Sequence, residues 1–138
     1  MEAGPDGATR KVPRWNFTVS PSDGTVEQKL FEWQHARSSR PVDPSQLDQW
    51  VLLVGVCDVA AGTVQLYVNG VEDRGSIQVP PRFTFWRGEG GIQAGRARWL
   101  GRMVDQWPGS IGPVRAFAGV LTAEDAASLY TRDALTNG

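Results

Sequence analysis

The chain has 138 residues, enough for one domain that buries roughly two-thirds of its unfolded surface. Its net charge of −1 argues against a dedicated binder of nucleic acid or anionic membranes, because such proteins usually carry a surplus of lysine and arginine. A single cysteine, Cys57, excludes an internal disulfide and a cysteine-based zinc site. Six tryptophans, nine prolines and sixteen glycines indicate short strands joined by many turns, so the fold class is mostly β.

The N-terminal part predicts a polar lead followed by two strands. Residues 1–13 are rich in glycine and proline, which favours a disordered lead or linker. Apolar and polar side chains alternate over residues 15–20, which predicts a short, half-buried strand. Residues 26–36 predict a more polar strand. No run has the length of a membrane span, and no signal peptide is expected at the N-terminus.

The clearest element is a hairpin over residues 50–70, WVLLVGVCDVAAGTVQLYVNG. Its first arm is apolar on both faces, which predicts a central strand covered by protein on each side. Polar and apolar side chains alternate in its second arm, so one face is expected to lie in the core and the other to be partly exposed to solvent. Asn69 and Gly70 supply the positive-φ residues that a tight turn needs, and residues 71–79 predict a third antiparallel strand.

The C-terminal half predicts two more strands, a long loop and a helix. Residues 91–97 and 110–118 predict strands, although a proline in the second must lie at an edge or a bulge. Between them, residues 98–109 (RWLGRMVDQWPG) predict a loop. A capping-box pattern then predicts a short helix from about residue 123 to residue 130.

Several motifs occur in a characteristic order: a tryptophan that opens an apolar strand, then LYVNG, GGIQAGR, DQWPGSI, VRAF and LTAEDAASLY. This order resembles the laminin-G-like family of concanavalin A-like jelly rolls, and the resemblance covers roughly residues 14–130. It implies an all-β, two-sheet antiparallel jelly-roll β-sandwich with one short C-terminal helix. We assign this domain to residues 14–138.

The resemblance also implies a function and a location. Relatives are non-catalytic binding or adhesion modules for carbohydrate or extracellular proteins, are commonly exported, and sometimes hold calcium at one rim. Gly112-Pro113 stands where relatives usually carry an acidic pair, so no role is carried over from that pair. Relatives also have several strands before the segment that begins here at residue 14. The chain is therefore expected to be incomplete, and to self-associate or dock on a neighbouring domain through an exposed sheet edge.

A ligand site is expected in the C-terminal half. Residues 82–115 hold six arginines against two acids, interleaved with tryptophans. Tryptophan faces can stack on sugar rings, while charged side chains hydrogen-bond to hydroxyls. The candidate ligand-binding residues are Arg98, Trp99, Asp105 and Trp107, which the long loop can place at one rim. Alternatively, these tryptophans pack in the core, and the chain is a structural or assembly domain of a larger polypeptide without a ligand of its own.

Catalysis is not expected. The acidic residues are adjacent in sequence or lie on opposite strand faces, so no carboxylate pair has the arrangement that a glycosidase needs. His35 is the only histidine, and no Gly-x-Ser-x-Gly elbow occurs. Calcium requires six to eight oxygens, whereas Asp58 and Asp105 are single, scattered donors. We therefore expect no metal and no other cofactor.

Overall fold

The computed structural model describes residues 12–21, 33–73, 77–85, 88 and 91–136. Most of the expected lead, and most of the strand expected over residues 26–36, lie outside these ranges. The described elements are β1 (Asn16–Val19), β2 (Gln34–Arg37), a 3₁₀ helix (Pro44–Gln46), β3 (Leu53–Asp58), β4 (Thr63–Val68), β5 (Val71–Glu72), β6 (Ile77–Gln78), β7 (Ala97–Trp99), β8 (Arg102–Val104) and α1 (Ala123–Thr136).

The strands form three antiparallel sheets. β1 pairs with β2 and β7 pairs with β8, while β3, β5 and β6 all pair with β4. Residues 71–79 were expected to form one strand, but they contain two short strands, β5 and β6, on the same side of β4. Among the described strands, the first hairpin arm does not hold the predicted central position: β3 pairs with β4 alone, and β4 is the central strand.

One face of the β3–β4 hairpin packs against helix α1. Val54 and Tyr67 lie opposite each other in the register and share this face with Val56. They form a buried cluster with Ala126 and Leu129, which lie three residues apart on the helix. The burial of these side chains provides the main attraction between the helix and the sheet.

The other face of the hairpin packs against the β1–β2 pair. Val64 and Leu66 are almost completely buried here beside Ala36 of β2. Phe17 of β1 lies so close to Gly55 that a Cβ at that position would come within 2.5 Å of the ring. Protein therefore covers both faces of the apolar first arm, as predicted. Helix α1 covers one face and the β1–β2 sheet covers the other, so this cover does not depend on a strand at the outer edge of β3.

The Asn69-Gly70 turn joins β4 to β5 and confirms the predicted tight turn. Both residues have positive φ, at 52° and 78°. The Asn69 backbone N–H donates to the carbonyl oxygen of Leu52 (2.8 Å), and its side-chain oxygen accepts from the Leu52 N–H (2.9 Å). A Cβ on Gly70 would lie 2.9 Å from Cβ of Tyr130. The glycine thus sets the turn geometry and also allows helix α1 to approach.

Two expectations for residues 91–109 are wrong. Residues 91–96 form no strand, and Gly95 has a φ of 77°. The expected loop over residues 98–109 contains the β7–β8 hairpin, which turns through Leu100 and Gly101 at φ values of 47° and 78°. Leucine is rare in this left-handed conformation, so the sequence carries no ordinary turn signal at this position.

The strand expected over residues 110–118 is also absent. This segment is exposed along its whole length and pairs with no described strand. Its Arg115 forms an ion pair with Asp133 of α1 at 2.9 Å, which ties the segment to the helix. The helix begins as predicted, with Thr122 and Asp125 exchanging capping hydrogen bonds, but it continues to Thr136. Within the described ranges, no helix is long and apolar enough to cross a bilayer.

Candidate functional site

The β7–β8 hairpin separates two of the residues expected in a ligand site. Arg98 lies opposite Met103, whereas Trp99 lies opposite Arg102. Neighbouring residues of a strand point to opposite faces, so Arg98 and Trp99 project to different sides of the hairpin. Arg98 is exposed, and Trp99 is half-buried.

Trp99 packs against the β1–β2 pair through Trp33. Their ring centroids are 5.4 Å apart in an edge-to-face arrangement. The Trp33 ring also lies 6.4 Å from the imidazole of His35. Aromatic rings prefer edge-to-face contacts, because the positive ring edge meets the negative ring face. Trp99 is therefore an anchor of the β7–β8 hairpin as well as a candidate ligand contact.

Trp107 packs against a different tryptophan, Trp15, with ring centroids 6.0 Å apart. Its indole N–H donates to the carbonyl oxygen of Ser110 (3.3 Å), and its backbone N–H donates to that of Gly95 (2.7 Å). Two of these contacts hold the ring and the third holds the backbone, while the residue remains 46% exposed. Asp105, two residues earlier, is exposed and has a φ of 52°.

The two tryptophan pairs lie at opposite ends of the β1–β2 hairpin. Trp15 directly precedes β1, and Trp33 directly precedes the antiparallel β2. Measured along β1, Trp33 lies five residues beyond Trp15, which corresponds to roughly 17 Å of extended chain. Trp99 and Trp107 were expected at one rim, but they lie at opposite ends of the hairpin. Neither is fully buried.

A network of polar side chains lies between the two ends. Asn16, Thr18 and His35 share the face of β1–β2 opposite to Phe17 and Ala36, which face the core. The Asn16 amide nitrogen donates to Thr18 Oγ1 (3.0 Å) and lies 3.3 Å from His35 Nδ1. Thr18 Oγ1 lies 2.9 Å from the same Nδ1. This outer face thus presents an amide, a hydroxyl and an imidazole in one connected group.

The network fixes the state of the imidazole. An amide nitrogen can only donate, so Nδ1 of His35 accepts and the neutral ring carries its proton on Nε2. Burial, with a smaller contribution from the nearby Arg37 guanidinium, lowers the pKa of His35 below its usual 6.5. At neutral pH the ring is therefore uncharged and offers an Nε2–H donor.

The ligand contacts predicted from the sequence do not include Trp15, Asn16, Thr18, Trp33 or His35. Polar and apolar residues alternate in each segment, so the sequence pattern alone separates the residues of one strand face from those of the other. The strand register that brings Thr18 opposite His35 was not available from the sequence.

The described residues contain no group of three or more His, Cys, Asp or Glu side chains arranged to hold a metal ion. Asp58 Oδ1 accepts from the backbone N–H of Ala61 at 2.9 Å, so this carboxylate is used in the β3–β4 turn. The Cys57 thiol is half-buried, and burial followed by the Asp58 charge raises its pKa. The thiol is therefore protonated at neutral pH and is a poor nucleophile.

Antiparallel sheets packed face to face, with a helix on the outer side of the larger sheet, define a β-sandwich. A laminin-G-type family model, described as the concanavalin A-like lectin/glucanases superfamily, matches residues 4–127. The chain belongs to this superfamily.

Two further comparisons add no function. A crystal structure of an S-layer domain-containing protein (residues 221–444) from Clostridium thermocellum ATCC 27405 aligns with 13% identity and a TM-score of 0.37. The alignment covers 89% of this chain and 65% of that one, so this chain spans less than two-thirds of its length. No curated protein matches the chain significantly.

Proposed function

We propose that the protein is a non-catalytic binding module for carbohydrate and that it acts outside the cell or on its surface. The observation that carries this proposal is the polar network of Asn16, Thr18 and His35 on the outer face of β1–β2, with Trp99 packed on Trp33 beside its His35 end. Membership of a lectin-containing superfamily supports the same ligand class and location.

The arrangement suits a sugar chain that lies along β1–β2. Sugar hydroxyls both donate and accept, and the network offers the Asn16 carbonyl oxygen, the Thr18 hydroxyl and the His35 Nε2–H. Trp99, packed on Trp33 beside His35, supplies a flat apolar surface for the C–H face of a sugar ring. Because a protein contact already holds this ring, little side-chain entropy is lost when a ligand binds.

The proposed ligand contacts revise the set expected from the sequence. Trp99 stays in it, at one end of the face. Trp107 and the exposed carboxylate of Asp105 are left out, because Trp107 packs on Trp15, whose side chain lies with Phe17 on the core side of β1. Arg98 is left out, because it projects from the opposite side of the hairpin to Trp99. The network residues of β1 and β2 are added.

A glycan array followed by calorimetry on the best glycan tests the proposal. The variant Thr18→Val removes one hydroxyl and keeps the shape and strand preference of the side chain. We expect it to weaken binding about tenfold, in line with one lost hydrogen bond of about 1.4 kcal/mol. The matched control Thr63→Val changes a half-buried threonine of β4 in the other sheet and should bind normally. Absence of wild-type binding to every glycan would refute the proposal.

A second candidate function is a structural or assembly role in a larger polypeptide. It is favoured by the outer edge of β3, which has no strand partner in the described part of the chain, and by the exposure of Leu53 on that strand. An assembly domain would associate through this edge and bind no glycan. The array therefore distinguishes the two candidates.

A further inference from the structure

The outer edge of β3 carries unpaired backbone groups. Leu52 exchanges hydrogen bonds with Asn69, and the register continues this pattern to Val54, Val56 and Asp58. In an antiparallel ladder, the intervening residues direct their N–H and C=O groups away from the partner strand. Leu53, Gly55 and Cys57 therefore present three donors and three acceptors at an edge to which no described strand bonds.

This edge lacks the features that usually prevent strands from associating. Proteins protect exposed edges with lysine, proline, a bulge or very short strands. β3 has six residues, LVGVCD, and its only charge is Asp58 at one end. Leu53 is 41% exposed, and the chain as a whole has a net charge of only −1. Low net charge also favours association.

We propose that β3 pairs antiparallel with β3 of a second copy of this chain, about a two-fold axis through Gly55. This register uses all six outward groups, because Leu53 then faces the second copy's Cys57 and Gly55 faces its own symmetry mate. Apolar residues meet apolar ones, with Val54 opposite the second copy's Val56. Asp58 does not meet its own copy, so no like charges are opposed.

The sequence of the edge favours a second copy over an unrelated strand. Self-pairing about Gly55 places the one residue without a side chain opposite its own copy at the symmetry axis, and it keeps Asp58, the only charged residue of the strand, away from its own copy. The result is one continuous sheet across two subunits. This interface is separate from the proposed carbohydrate face on β1–β2, so dimerisation and glycan binding can fail independently.

Sedimentation velocity across a wide range of protein concentration tests the dimer. We expect a monomer–dimer equilibrium for the wild type and at least a tenfold weaker association for Leu53→Lys, which places a charge at the edge. The control Val71→Lys places the same charge on β5, where Val71 is 70% exposed, and should dimerise normally. A wild-type monomer at every concentration, or equal loss of dimer in both variants, would overturn the proposal.

Cross-linking tests the register. Directly opposed residues of a hydrogen-bonded pair have Cα atoms about 5.5 Å apart, within the range of a disulfide. With oxidised glutathione as the oxidant, the thiol introduced by Leu53→Cys should form a disulfide with the second copy's Cys57. The two thiols lose two protons and two electrons, which reduce the glutathione disulfide. Residues 53 and 57 of one strand are roughly 13 Å apart and cannot bond to each other. The covalent dimer should disappear when Cys57→Ser is added, and a folded variant that forms no dimer would overturn the register.

Hydrogen exchange on the wild type needs no variant. The amides of Leu53, Gly55 and Cys57 should exchange more slowly as the protein concentration rises, because they become bonded only in the dimer. The amides of Val54 and Val56, which already bond within the hairpin, serve as the internal reference. Exchange that does not depend on concentration at the three edge amides would contradict the proposal.

Discussion

Thr18 Oγ1 and His35 Nδ1 lie 2.9 Å apart across the β1–β2 pair, on the face directed away from the core. This contact joins residues that are seventeen positions apart in the sequence. The neighbouring contact between the Asn16 amide nitrogen and the same Nδ1 requires a ring nitrogen without a proton, so it is lost when the imidazole is protonated. The state of the network is therefore coupled to pH.

Protonation of His35 should lower the stability of the fold. Its pKa is lowered in the folded state, so the unfolded state binds a proton first as the pH falls below about 6.5. The stabilising effect of the neutral ring is complete above that pH and is lost towards the lower folded pKa. Urea unfolding from about pH 7.5 to about pH 5 should show a steeper loss for the wild type than for His35→Gln. Equal slopes would contradict the assignment.

Replacement of Trp99 and of Trp107 should separate binding from stability. Trp99→Ala removes an edge-to-face contact worth about 1 kcal/mol, as well as half-buried surface. Trp107→Ala removes a more exposed ring and should lower the free energy of unfolding by less. Trp99→Ala should lose glycan binding, whereas Trp107→Ala, on the other face of β1–β2, should bind normally. Denaturant unfolding checks the order, and a larger destabilisation by Trp107→Ala would place that ring in the core instead.

Gly70→Ala should destabilise the protein by more than the cost of backbone strain. A left-handed alanine costs about 1–2 kcal/mol, and here the new methyl group would also meet Ala127 Cα at 3.1 Å. Gly101→Ala is the matched control, because Gly101 has the same φ of 78° and open space around it. The difference in unfolding free energy between the two variants measures the helix contact. Equal losses would mean that α1 can move away without cost.

Loss of the helix cap should weaken α1 locally. Thr122 Oγ1 accepts from the Asp125 backbone N–H, and the Asp125 carboxylate accepts from the Thr122 backbone N–H. Thr122→Ala should cost about 1 kcal/mol, while Thr122→Ser keeps the hydroxyl and should cost much less. The Thr122 backbone N–H and hydroxyl both donate to the Asp125 carboxylate and lower its pKa, so the stabilising effect should fade only in acid, below the usual value of 3.8. A stability loss in Thr122→Ser equal to that in Thr122→Ala would rule out the capping role.

Much of the fold was predictable because short-range chemistry decides it. The Asn69-Gly70 turn follows from two residues that tolerate positive φ, and the start of α1 follows from Thr122 and its capping partner. The β7–β8 hairpin was not predictable, because its turn uses Leu100 in a conformation that leucine rarely adopts. Tertiary contacts of Trp99 with Trp33 supply the stabilisation that the turn residues do not.

The candidate site was predictable only in part. Composition identified Trp99 and Trp107 as aromatic candidates, but not that Trp33 and Trp15 hold them at opposite ends of one hairpin. The polar network depends on strand register, which no local pattern specifies for two short strands separated by fourteen residues. Long-range pairing therefore determines the part of the site that the sequence did not reveal.

A nuclear magnetic resonance titration with the glycan that binds best tests the central claim most directly. Ligand should shift the indole N–H signal of Trp99 and the backbone amides of β1 and β2, and Thr18→Val should reduce these shifts at equal glycan concentration. The amides of β3 serve as the reference for a surface outside the site. Shifts confined to β3 or to α1, with the β1–β2 amides unchanged, would contradict the proposed carbohydrate-binding face.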